Sequence, residues 1–254
     1  MRRRAAGWAL GLVLVAVSSQ AQTPTATPVP TSTRLALQLQ TPGLTVGVDP
    51  HSIATGKLTT SGNADIVVAN NVSADLSILF AKGNANFMDA VTISLGTSDS
   101  NAPSAVAVAD VDGDTRLDIL VTDELASTVA VLLNQGGGAF GDPQLFDTGS
   151  TPEAVVAGHF NNDTTLYVAT ANLVDDTVTV FQGGTGGALT VVQTVDGVGA
   201  EPTALASADF DNDKIPDLVS ANDSGGDTLS GSISVLKGTG HGMFISTERG
   251  SFKN

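Results

Sequence analysis

The sequence predicts an all-β chain, a β-propeller of four-stranded blades, and three observations predict it. One unit recurs four times, its apolar residues alternate with the period of a strand, and no stretch carries a helical apolar stripe. From Pro50, Pro103, Pro152 and Pro202 the chain reads PHSIATGKLTTSGNADIVVAN, PSAVAVADVDGDTRLDILVTD, PEAVVAGHFNNDTTLYVATAN and PTALASADFDNDKIPDLVSAN, in register without a gap. The prolines lie 53, 49 and 50 residues apart, and a period of that length belongs to propellers and solenoids.

Each unit supplies four strands in order. The small-apolar run after the proline, such as SAVAVAD, alternates as a strand does. A polar loop of nine residues follows, and then an aliphatic second strand such as LDILV, suited to a buried sheet. The third strand is expected at Thr128–Leu133, Thr177–Phe181 and Ser232–Leu236 in the last three units. A glycine-rich corner (NQGGGAF, GGTGGAL, GTGHGMF) then turns the chain into a shorter fourth strand. Four antiparallel strands make one blade.

The first residues follow another logic. Met1 to Arg4 is basic, Ala5 to Val17 is an apolar run short of the ~20 residues a membrane span needs, and Ser19-Gln20-Ala21 offers small residues for cleavage. Residues 1–21 read as an export signal, which leaves no membrane span after cleavage and places the chain outside the cytoplasm, secreted, at the cell surface or in the periplasm. Residues 22–34 are Pro/Thr-rich and read as a linker. Residues 35–254 hold the repeats, and Leu35 to Gln40 alternates as an orphan outer strand would.

Charge narrows the partners. The chain carries a formal charge of −15, and removing residues 1–21 takes three arginines and no acid, giving about −18. Such a surface excludes nucleic acid, whose phosphates need the opposite sign. With no cysteine, an exported chain forgoes disulfides and needs another staple.

That staple is expected in the polar loops. DVDGDTRLD places Asp110, Asp112, Asp114 and Asp118 at loop positions 1, 3, 5 and 9, and DFDNDKIPD places Asp209, Asp211, Asp213 and Asp217 identically, 99 residues on. Alternate residues of a tight loop can turn inward together, and the carbonyl at position 7, Arg116 or Ile215, can complete an all-oxygen shell for Ca2+. Without a cation, two carboxylates about 5 Å apart repel by roughly 3 kcal/mol at an effective dielectric near 20. An EF-hand is excluded, because position 12 is Val121 or Ser220 and a strand follows. The third unit has His159, Asn161, Asp163 and Tyr167 at these positions, a weak site at best. The first has Lys57, Thr59, Ser61 and Asp65, and no metal is expected there.

The alternating strand, D-x-D-x-D-G-x-x-D, LDILV and VLLNQGGGAF together resemble the FG-GAP or VCBS repeats of the integrin α-chain amino-terminal β-propeller and its bacterial secreted relatives, over about Leu35 to Phe244. The resemblance implies a propeller, commonly seven-bladed, with calcium loops in some blades and roles in adhesion, recognition or scaffolding. Four units are visible, so the chain is expected to be part of a seven-bladed propeller or an incomplete one.

The expected function is therefore a secreted calcium-binding propeller module, with an extracellular protein or a glycan as partner. No catalytic constellation is seen. His51, His159 and His241 match no histidine in another unit, there is no cysteine, and no G-x-S-x-G elbow occurs. The chain is thus expected not to be an enzyme. The alternatives are a lyase or hydrolase acting on extracellular polysaccharide and a truncated paralogue without a ligand.

Overall fold

The computed structural model describes residues 43–96, 100–161, 163–223 and 231–246. The export signal, the linker and the orphan strand expected at 35–40 lie outside them.

Four antiparallel sheets follow one another. The first blade is β1 (Pro50–Gly56), β2 (Asp65–Asn70), β3 (Asp75–Leu79), the small hairpin β4 (Ala81–Gly83) and β5 (Asn86–Phe87), and β6 (Val91–Ser94), with sheet order β1-β2-β3-β6. The second repeats it with β7 (Pro103–Ala109), β8 (Asp118–Asp123), β9 (Thr128–Leu132), the hairpin β10 (Asn134–Gly136) and β11 (Ala139–Phe140), and β12 (Gln144–Asp147). The third is β13 (Pro152–Gly158), β14 (Tyr167–Asn172), β15 (Thr177–Gly183) and β16 (Leu189–Asp196). The fourth is β17 (Pro202–Ala208), β18 (Asp217–Asn222), β19 (Ser232–Gly238) and β20 (Phe244–Ser246). The only helix among the described residues is a single 3-10 turn at Thr185–Gly187 in the third corner.

Proline marks each blade for a physical reason. It cannot donate to a ladder, so it is tolerated at the first residue of a strand. In all four blades the register then slips at the same place, between Pro50 and Ser52, Pro103 and Ala105, Pro152 and Ala154, and Pro202 and Ala204.

The strands that open the blades stand side by side, β1 against β7, β7 against β13 and β13 against β17. Alternation along the second and third strands gives each blade two apolar faces. Val67, Ala69, Leu76 and Ile78 of the first blade pack against Val106, Ile119, Val121 and Leu132 of the second. The opposite face of the second, Leu120, Val129 and Val131, meets Val155, Val168 and Phe181 of the third. Phe160, Tyr167, Val178 and Val180 of the third meet Leu218, Leu236 and Phe244 of the fourth. Each fully buried aliphatic side chain is worth about 1.5–3 kcal/mol, so blade-to-blade contact is the main cohesion. The remaining face of the fourth blade leaves Ile233 and Ile245 exposed.

Candidate metal centres

The acidic loops join the opening strand of a blade to its second strand, all at one rim. In the second blade Asp110 folds the loop on itself, its carboxylate accepting the amides of Gly113 and Thr115 at 2.8 Å each. Asp112 accepts the Asp114 amide at 3.1 Å and Asp114 the Arg116 amide at 2.8 Å. The fourth blade does the same: Asp209 accepts the amides of Asp213 and Lys214, Asp211 that of Asp213, and Asp213 that of Ile215. Both loops are thus closed by backbone amides on their own carboxylates. Gly113, Thr115, Asn212 and Lys214 take positive φ to close these turns.

Three of the four predicted carboxylates converge in each loop. One oxygen each of Asp110, Asp112 and Asp118 lie within 4.8 Å of one another, as do those of Asp209, Asp211 and Asp217. The fourth carboxylate is turned to a cation. Asp114 pairs with the Arg116 guanidinium, which also donates from Nε to the Asn134 carbonyl at 2.7 Å. In the fourth blade Lys237 pairs with Asp211 and, at 2.9 Å, with Asp213. The hydrogen bonds that the Lys237 ammonium donates to Asp211 and Asp213 hold it above the usual lysine range, and the bond to Asp213 holds that carboxyl below the usual carboxylate range. An all-oxygen, multiply negative donor set that collects nearby cations fits a hard divalent ion. Asp110, Asp112 and Asp118, and Asp209, Asp211 and Asp217, would hold it, with Asp114, Asp213 and the carbonyls of Arg116 and Ile215 available to fill the shell.

Position 9 has a second role that the sequence did not reveal. Asp118, 1 % exposed, accepts the Val111 amide from the loop at 2.8 Å and the Asn134 amide beyond β9 at 2.9 Å. Asp217 accepts the Phe210 and Gly238 amides in the same way. Asp65, in the loop expected to bind no metal, accepts those of Leu58, Thr59 and Ala81. The aspartate is therefore a staple between loop and third strand, with or without a cation. Burial pushes the Asp118 carboxyl up, the Asn134 and Val111 amides oppose that shift, and the nearby Asp112 and Asp114 charges add a smaller push upward.

The third loop is closed differently. Asn161 donates to the Tyr167 hydroxyl at 3.1 Å, and Asp163 accepts the Thr165 amide at 2.7 Å, a bond that holds its carboxyl low. His159 Nδ1 lies 3.1 Å from the Thr165 carbonyl. Phe160 stacks on Tyr167 and meets Phe244 of the fourth blade edge-on, with ring centroids 6.2 and 5.3 Å apart. Aromatic packing stands where the second and fourth loops gather carboxylates.

At the opposite rim Glu153, just after Pro152, lies beside Glu124, which follows β8, and Asn71 of the first blade donates to Glu124 at 3.1 Å. Burial first, then the Glu124 charge and hydrogen bond, push the Glu153 carboxyl up to about 7. Because the folded form keeps this proton above the ordinary value of 4.5, stability is fullest below that value and falls as pH rises through about 7. Measured in saturating calcium, Glu153→Gln should remove part of the loss of melting temperature between pH 5 and pH 8 and leave the variant a few degrees more stable at pH 8. Identical slopes for both proteins would contradict this. No sequence signal joins these two glutamates, which sit in different units.

The row of four-stranded sheets is that of a β-propeller. Residues 58–121 and 110–170 match the FG-GAP-like repeat model. A search of curated proteins finds no match. Among solved structures the chain is similar to a putative 6-phosphogluconolactonase of Bacteroides fragilis, at 19 % identity and TM-score 0.55, over 76 % of this chain and 55 % of that one. It is also similar to the periplasmic gluconolactonase of Pseudomonas aeruginosa, at 17 % identity and TM-score 0.55, over 78 % and 56 %. A fructofuranosidase of Schwanniomyces occidentalis matches at 11 % identity and TM-score 0.54, over 79 % and 45 %. The chain thus spans about half the length of these proteins, and the likeness is one of fold. It corrects the expectation that the chain is not an enzyme: propellers of this shape carry lactonase and fructofuranosidase names, so neither the fold nor the lack of a familiar motif excludes catalysis. Among the described residues, no helix is long and apolar enough to cross a membrane.

Proposed function

We propose that this chain is an exported, calcium-stabilised propeller module whose rigid blade rims bind an extracellular protein or a glycan. The observation that carries the reading is the repetition of one geometry: two loops, in register with the repeat, each bring three carboxylates within 4.8 Å and draw a neighbouring cation. Bound calcium would neutralise the loop and tie the opening strand of a blade to its second strand, adding about 1.4 kcal/mol per site at ten times the dissociation constant. In a chain without cysteine that takes the place of a disulfide staple. A calcium titration by calorimetry tests it, with Asp112→Ala and Asp211→Ala each expected to remove one site. Unchanged stoichiometry in both variants would overturn the assignment.

The proximity of Glu124 and Glu153 favours a second reading, an activity on extracellular polysaccharide, since Glu153, whose carboxyl is pushed up to about 7, can supply an acid beside a second carboxylate. Chain cleavage of a polysaccharide panel, lost in Glu153→Gln while calcium binding persists, would establish it. No cleavage by the unaltered protein would leave the binding module alone.

A further inference from the structure

We infer that Lys237 is a tethered cation that occupies the fourth-blade loop in the metal-free protein and must withdraw before that loop takes a divalent ion, which makes the two metal centres unequal. This rests on the metal reading above and concerns only how the chain differentiates the two loops.

The loops match position for position, so the differences around them are informative. In both blades an amide at the end of the third strand or just beyond it is stapled to the position-9 aspartate, Asn134 to Asp118 and Gly238 to Asp217. The residue before that amide is thereby placed at the same point beside the loop. In the second blade it is Leu133, which has no charge to offer and packs partly buried against the apolar core between the second and third blades. In the fourth it is Lys237, whose ammonium reaches Asp211 and Asp213 together.

The positions of the partners decide the consequence. Asp211 is one of the three converging ligands of its loop, so the ammonium competes for an oxygen that the metal needs. Arg116, the cation of the second blade, engages Asp114 and turns its Nε to a backbone carbonyl. Asp114 lies outside the converging set, so the Arg116 guanidinium takes no oxygen of Asp110, Asp112 or Asp118. A divalent ion entering the fourth loop must displace the ammonium from Asp211, one of its three converging carboxylates. Entering the second loop displaces no such cation from its three converging carboxylates. Exposed pairs of this kind are individually weak, so the two sites differ in degree and both still bind.

The account predicts two classes of calcium site, the weaker one in the fourth blade. Calorimetric titration of the protein with calcium should resolve them, with Asp112→Ala removing the tighter site and Asp211→Ala the weaker. Lys237→Leu, which copies the second blade, should tighten the weaker site about tenfold and lower the melting temperature in chelator, because the fourth loop then has no counter-charge. Leu133→Lys should weaken the tighter site while leaving the other unchanged. Two sites of which neither responds to Lys237→Leu would overturn the inference and leave the metal reading standing. Absence of calcium binding in both the unaltered protein and Lys237→Leu would overturn the two together.

Discussion

Asp118→Ala is expected to lower the melting temperature by about 10 °C in chelator, where no metal contributes, and to remove one of the proposed calcium sites besides. The carboxylate is buried and accepts two backbone amides from different parts of the blade, Val111 and Asn134. Alanine leaves both donors without a partner, at about 1–3 kcal/mol each, and a domain of this size loses about 2–4 °C per kcal/mol. Relief of the desolvated charge, whose carboxyl burial already pushes up, offsets only part of that. Asp112→Ala is the control, since Asp112 holds a single loop amide. It should lose the same calcium site and melt close to the unaltered protein in chelator. Asp65→Ala completes the comparison: it loses three amide bonds in a loop without converging carboxylates, so it should destabilise equally with and without calcium. Differential scanning of the three variants in calcium and in chelator measures all of this. Equal chelator melts for Asp118→Ala and the unaltered protein would show that position 9 is a ligand and nothing more.

Gly242→Ala is expected to cost about 4 kcal/mol and to act through the neighbouring blade. Gly242 sits at φ 67°, in the left-handed region, and an added Cβ would lie inside the Tyr167 ring. The left-handed conformation costs an L side chain about 1–2 kcal/mol, and overpacking a filled site costs about 1–3 kcal/mol more. The ring has little room to move, since Phe160 stacks on it and Asn161 donates to its hydroxyl. A second substitution separates the two causes: Tyr167→Leu in the same background removes the ring and should recover part of the loss. A melt of Gly242→Ala within a degree of the unaltered protein would contradict the packing described at the junction of the third and fourth blades.

Much of this architecture was legible because the repeat is written in backbone-determining residues. Proline at strand starts, glycine at corners and aliphatic second strands report local geometry directly, and strand after strand begins where they place it. The expected third strand of the second blade, Thr128–Leu133, ends one residue earlier, at Leu132. Those of the third and fourth run two residues longer, to Gly183 and Gly238. The acidic loops were legible for the same reason, since alternate spacing within nine residues fixes which side chains share an interior. What stayed hidden depends on contacts between distant parts of the chain. Lys237 follows Asp211 by 26 residues, and only the pairing of β18 with β19 brings it to the loop. The stapling role of Asp65, Asp118 and Asp217 involves backbone amides, which no residue letter reports. Glu124 and Glu153 meet across a blade boundary, where neighbouring units touch through their strand ends. In the third loop, Tyr167 in place of aspartate reads as decay in the sequence, and in the structure it anchors an aromatic cluster shared with the fourth blade.

The central claim is that two of the four loops are metal centres, and calcium calorimetry on the protein, paired with thermal melts in calcium and in chelator, tests it most directly. The account predicts two calcium ions per chain and, with calcium at about a hundred times the dissociation constant of the tighter site, a rise in melting temperature of about 10 °C over the chelated protein. A folded protein that takes up no calcium and melts at one temperature in both conditions would contradict it.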